Sequence, residues 1–206
     1  MDENIYIHGI CDGVSHNYDI KNQKRILLKI LKSDAILSMK MQNKLFHRGF
    51  NGLDYISLCD YSKRNDNDYT AFNNFVKYSI GFCFSKDDLE VIKPILVDRC
   101  DENIFGFFKM EYYGRNKSKR YSDLIDEVQV KNSIPLNKLK FITIPSDVIL
   151  SNGFYLNKKG KIKRLKKEVE DINQMLTDYN YQKEMYDIDS GLILNEENIE
   201  KLVLKK

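Results

Sequence analysis

Three short segments of this 206-residue chain carry side chains suited to chemistry. They are His8-Gly9, closing the β-prone run Ile5-Tyr6-Ile7-His8; Tyr55-Ile56-Ser57, inside an alternating apolar and polar run; and Glu127, heading Glu127-Val128-Gln129-Val130. An imidazole exchanges hydrogen-bonding roles near neutral pH, a glycine lets backbone approach a ligand, and a carboxylate stabilises positive charge as it develops. Each residue also has a plain structural alternative: a satisfied histidine after a strand, ordinary strand packing for Tyr55 and Ser57, a solvated carboxylate beside Asp126. Between the second and third segments, Tyr112, Tyr113, Arg115, Lys117, Lys119 and Arg120 mix rings that stack bases with cations that neutralise phosphates. The run Lys158 to Lys167 adds seven Lys or Arg and no acid, and either extends that track or forms a solvated helix face.

Other chemistries are poorly served. His8, Cys11 and His16 lie close together, but their spacing matches no zinc pattern and no second half follows, so no metal is expected. There is neither a G-x-S-x-G elbow nor a Walker-type glycine loop.

The elements that must hold these residues follow from periodicity. Ile5 to His8 is a first strand, and an amphipathic helix is predicted from Gln23 to Leu37, with Asn22 as its cap. Gly49 to Gly52 form a turn, Leu53 to Leu58 a half-buried strand, and Asp60 to Asp68 a polar loop. A short helix over 70–79, a strand from Ser79 to Phe84, a capping box at Ser85 to Asp88 and a strand from Ile95 to Val97 come next. Residues 101–124 read as a long functional loop, because irregular connections above about 15 residues are otherwise uncommon. Strands at Glu127 to Val130 and Leu139 to Ile144 complete the core, and a helix from Lys161 to about Met185 presents Ile162, Leu165, Val169, Ile172, Leu176 and Tyr179 as one stripe.

In this order and context, the three segments resemble the motif positions of the ADP-ribosyltransferase family: a His or Arg on the first strand, a Tyr or Ser motif on a central strand, and a Glu on a late strand. The resemblance spans, loosely, residues 5–145, and is nearest to the intracellular, DarT-like and related phage or toxin branches. It implies an α+β fold, with a split mixed or antiparallel sheet, flanking helices and a C-terminal amphipathic helix. It implies a catalytic domain over 1–150 and a helical extension over 151–206 packed on the same domain. It implies a transferase that splits NAD, its co-substrate, and passes ADP-ribose to a nucleic acid or protein. Glu127 would be the catalytic carboxylate, since cleavage at the ribose develops an oxocarbenium ion. His8 would bond the adenosine ribose, Gly9 would offer backbone groups to the nicotinamide amide, and Tyr55 would wall the nicotinamide pocket, with Ser57 as the alternative motif residue. Tyr112, Tyr113, Arg115, Lys117, Lys119 and Arg120 would face the acceptor. Ile125 departs from branches that carry Glu or Gln two residues before the catalytic Glu, which argues against arginine or asparagine acceptors. An enzyme of this kind, a toxin in phage or bacterial defence, would harm its own host, which points to an antitoxin or immunity partner or to a phage origin. The rival reading is a non-enzymatic module that binds nucleic acid or protein through the 105–120 loop and the C-terminal helix.

Composition sets the outer bounds. With 42% hydrophobic and 31% charged residues the chain reads as one globular, soluble domain, without an apolar stretch long enough for a membrane span. A net charge of +3 is too small to diagnose nucleic-acid binding. The acidic start Met1-Asp2-Glu3-Asn4 is unlike a secretory signal, and Cys11, Cys59, Cys83 and Cys100 form no C-x-x-C pair, so a reducing cytoplasm is expected.

Overall fold

The computed structural model describes residues 3–10, 19–38, 40–42, 54–64, 70–92, 126–151 and 155–205. The expected turn at Gly49 to Gly52, the strand at Ile95 to Val97 and the loop over 101–124 lie outside them, as do Cys11, His16 and Cys100.

β1 (Ile5–Gly9) is central in a six-stranded sheet that also holds β3 (Tyr55–Asp60), β4 (Gly81–Ser85), β5 (Glu127–Lys131), β7 (Leu139–Ile144) and β8 (Met185–Asp187). The order is β5-β3-β1-β4-β7-β8, antiparallel except for the β7–β8 pair, so the fold is mixed α/β. β2 (Ala35–Leu37) pairs separately with β6 (Ser133–Pro135).

Strand alternation gives the sheet two buried faces. Tyr6, Ile56, Leu58, Phe82, Phe84, Val128, Val130 and Ile142 belong to the larger core. Ile5, Ile7, Cys59, Cys83 and Phe141 belong to a smaller one, roofed by Tyr61, Phe72 and Val76. The roof is a π-helical turn at Phe72–Val76, where a short α-helix was expected.

Helix α1 (Ile20–Ser33) covers the larger core with Ile20, Leu27 and Leu31. Its cap is Asp19, which accepts from the Lys21 amide at 3.2 Å, not Asn22. It stops short of Leu37 because Asp34 is left-handed, at φ 53, and sends Ala35–Leu37 into β2. Gln23 is buried and fastens α1 to the sheet, donating to the Tyr78 carbonyl at 2.9 Å and accepting from the Ile80 amide at 2.6 Å.

The core does not end near Ile144. After the short α2 (Ser146–Ser151), helix α3 (Lys158–Asp178) is capped by Asn157 and buries Leu165, Val169, Ile172 and Leu176 in the larger core. It ends before the expected Met185, which the chain uses in β8, and α4 (Glu196–Lys205) adds Ile199, Leu202 and Val203. Lys24 of α1 reaches Glu168 and Asp171 of α3 at 2.8 and 2.9 Å. Among the described residues, no helix is long and apolar enough to cross a membrane.

A truncation inside α3 tests this shared core. Leu165→Ala should cost about 2–5 kcal/mol in urea unfolding, lost from one cooperative transition. A loss confined to an early partial transition would mean that the C-terminal helices unfold on their own.

Candidate active site

Glu127 stands at the first position of β5, where the pleat turns its side chain to the face of the smaller core. Its register partner on β3 is Cys59, and Ser57 lies opposite Gln129. Alternation therefore puts Tyr55, Ser57, Glu127 and Gln129 on one face. Glu127 is only 5% exposed. The Ser57 hydroxyl donates to its Oε1 at 2.6 Å, and Gln129 Nε2 donates to the same oxygen at 3.3 Å. Oε2 is buried, with no hydrogen-bond partner among the described residues.

Burial pushes the Glu127 carboxyl above the usual range; Ser57 and Gln129 oppose the rise, and the neighbouring Asp126 charge adds to it. The solvated alternative for Glu127 is thereby corrected: the strand start is covered, and Asp126 beside it is also fully buried.

His8 touches the Ser57 backbone from β1, on the other face of the sheet. Its Nδ1 lies 2.9 Å from the Ser57 carbonyl oxygen. A carbonyl only accepts, so Nδ1 carries the proton, and in the neutral ring Nε2 is left as an acceptor. Burial favours the neutral ring and lowers the His8 pKa below the ordinary imidazole range, against the Ser57 carbonyl, which favours the charged form. His8 and Glu127 thus meet on one residue, the former through Ser57's backbone and the latter through its side chain. The pleat itself places His8 on the Tyr6 face, across the sheet from Glu127.

Gly9 pairs with Gly81 across β1 and β4. The close approach that its missing side chain permits is to protein: a Cβ there would lie 3.1 Å from Val76 Cα and 3.2 Å from the Phe75 carbonyl oxygen. Tyr55 is partly exposed at the start of β3. Tyr112, Tyr113, Arg115, Lys117, Lys119 and Arg120 lie outside the described residues. No group of His, Cys, Asp and Glu among the described residues could hold a metal ion, and Cys59 and Cys83 are buried free thiols.

Two residues of the site were not singled out from sequence. Gln129 had a signal, since a polar residue two positions after Glu127 in a strand must share its face. Asp126 had none, because its partners are backbone amides far along the chain. Nothing matches this chain among family models, curated proteins or solved structures.

The raised Glu127 pKa gives a signed prediction. A carboxyl raised on folding contributes stability that is intact below its unfolded pKa and is lost as pH rises through the folded value. The stability of Glu127→Gln relative to wild type should therefore climb as pH rises above the ordinary glutamate range, then level off. Urea unfolding across pH 4–9 reads this (roughly the span over which such a shifted acid titrates), and a flat difference would contradict the burial. Ser57→Ala, which removes a donor to Oε1, should move the same profile to higher pH.

Proposed function

We propose that this protein cleaves the nicotinamide–ribose bond of NAD and transfers ADP-ribose to an intracellular macromolecule. The observation that carries the reading is Glu127, a buried carboxylate gripped through one oxygen by Ser57 and Gln129, its other oxygen without a partner among the described residues. The resemblance of His8, Tyr55, Ser57 and Glu127 to the ADP-ribosyltransferase motifs supplies the reaction, and the mixed sheet is compatible with that family's arrangement.

In this reading the bond between the ribose C1′ and the nicotinamide nitrogen breaks with its electron pair leaving on nicotinamide. The ribose becomes oxocarbenium-like, and the ionised Glu127 stabilises charge that exists only in the transition state. The acceptor nucleophile then bonds to C1′ and releases its proton. Ser57 fixes the rotamer of Glu127, so that Oε2 is the oxygen left for the ribose. His8, on the other face of the sheet, acts only by holding the Ser57 carbonyl, while Tyr55, on the Glu127 face, flanks the nicotinamide and Gly9 contributes backbone groups only. The acceptor would meet the stretch holding Tyr112 to Arg120. The chain leaves for that stretch from Ile92, whose backbone pairs with Gln129 at 2.9 Å in both directions, and returns from it at Asp126. Both ends adjoin Glu127.

One observation favours a second reading, a module that binds a partner without catalysis. Lys158, Lys159, Lys163 and Lys167 are exposed along the start of α3, and Tyr155 just before it is 98% exposed.

NAD separates the two. At about 100 times its dissociation constant it should stabilise the fold by about 2.7 kcal/mol, raising the melting temperature by roughly 5–10 °C, with nicotinamide released in the same sample. Glu127→Gln should keep the binding shift and lose release by at least about a hundredfold, the scale of removing one transition-state electrostatic contact. Release from wild type should rise with pH through a midpoint above the ordinary glutamate range, because the ionised carboxylate is the working form. Absence of any NAD shift would favour the binding module, and normal release from the variant would remove Glu127 from the chemistry.

A further inference from the structure

Asp126 is fully buried at the step into β5, and both carboxylate oxygens and its carbonyl oxygen accept hydrogen bonds. Oδ1 accepts from the Ala71 amide at 2.6 Å, while Oδ2 accepts from the Phe72 amide at 2.9 Å and from the Cys59 thiol at 3.3 Å. Its carbonyl accepts from the Asp60 amide at 2.6 Å. The first amides of a helical turn have no partner within the turn, so a buried turn must find acceptors elsewhere. Here one carboxylate supplies both, and the turn it caps is the π-turn Phe72–Val76. π-turns are uncommon and concentrate at functional sites. This one lies directly against Gly9, with Phe75 held from behind by the Ser79 hydroxyl at 2.6 Å.

We propose that Asp126 is a positioning residue for Glu127: gripping the π-turn from the start of β5, it sets where the Glu127 carboxylate and the His8–Gly9 strand end stand relative to one another. The functional importance of that grip rests on the reading of Glu127 given above. The grip itself can be tested without NAD.

The charge of Asp126 also bears on Glu127, adding to burial in raising its pKa. Among the described residues, the other ionisable groups around Glu127 are Cys59, its register partner, whose thiol burial pushes well up; His8, reached through Ser57; and Tyr55, on the same face. Among these, Asp126 is the one whose charge acts on Glu127.

The test is carbon-detected NMR of the Glu127 side-chain carboxyl through a pH titration of the full chain, in wild type and in Asp126→Asn. An asparagine keeps the size but offers one acceptor oxygen where two amides need one each. The midpoint for Glu127 should move down in the variant, and one of the Ala71 and Phe72 amides should lose its hydrogen-exchange protection. An unmoved midpoint would overturn the proposal. If the variant does not fold, wild type decides: both amides should exchange on the order of a thousandfold or more slower than in an unstructured chain. Exchange at unprotected rates would refute the grip. A failure of NAD to bind leaves all of these outcomes unchanged, so the two ideas fail separately.

Discussion

The constraint on which the site depends is the burial of a carboxylate for which, among the described residues, one oxygen alone has donors. A desolvated charge is costly, and a buried polar atom without a partner costs roughly 1–3 kcal/mol more. The fold offsets this with two apolar cores, one on each face of the sheet, and sets Glu127 on the thinner side, where Ser57 and Gln129 can reach it. A residue that weakens the fold in this way is characteristic of sites retained for activity at the expense of stability.

The other buried polar groups near the site show what full satisfaction looks like. Gln23 bonds through both ends of its amide and locks α1 to the sheet. Asp60 is matched by Lys86 and Ser62, which hold its carboxyl below the usual range in spite of burial, the largest influence on it. Asp126 fills both oxygens with backbone amides. Glu127, adjacent to Asp126 in sequence, has the opposite character. The two neighbouring carboxylates differ in their hydrogen bonding: Asp126 has donors on both oxygens, and Glu127 keeps one buried oxygen without a donor among the described residues.

Much of the frame was legible from local pattern. β1, β3, β5 and β7 were read close to their true limits because each alternates or runs apolar between polar breaks, and α3 announced itself through Leu165, Val169, Ile172 and Leu176. The failures have physical causes. Ile36 continues the helical spacing of α1, but the left-handed Asp34 breaks the helix before it, and no propensity of Ile36 reveals that. β8 is three residues long, and its place beside β7 is set by the packing of α3 over the sheet, a long-range matter. At the site, His8, Ser57 and Glu127 were read on three separate strands, and the sheet sets β3 between β1 and β5. That Ser57 would join the other two through different atoms, backbone to His8 and hydroxyl to Glu127, depended on register. Asp126 was invisible because its partners, Ala71 and Phe72, are brought to it only by the folded sheet.

The central proposal is that NAD binds on the sheet face that carries Ser57 and Glu127, with His8 coupled to it through the Ser57 carbonyl. The most direct measurement is an NMR titration with NAD that follows the His8 ring nitrogens and the Glu127 carboxyl carbon in Glu127→Asp and wild-type protein, with the surface lysines of α3 as a reference. Saturable shifts are predicted at the residue-127 carboxyl and, through Ser57, at His8 Nδ1, with one shared dissociation constant, and none at Lys158 or Lys163. Shifts confined to the lysines, or none at all, would contradict it.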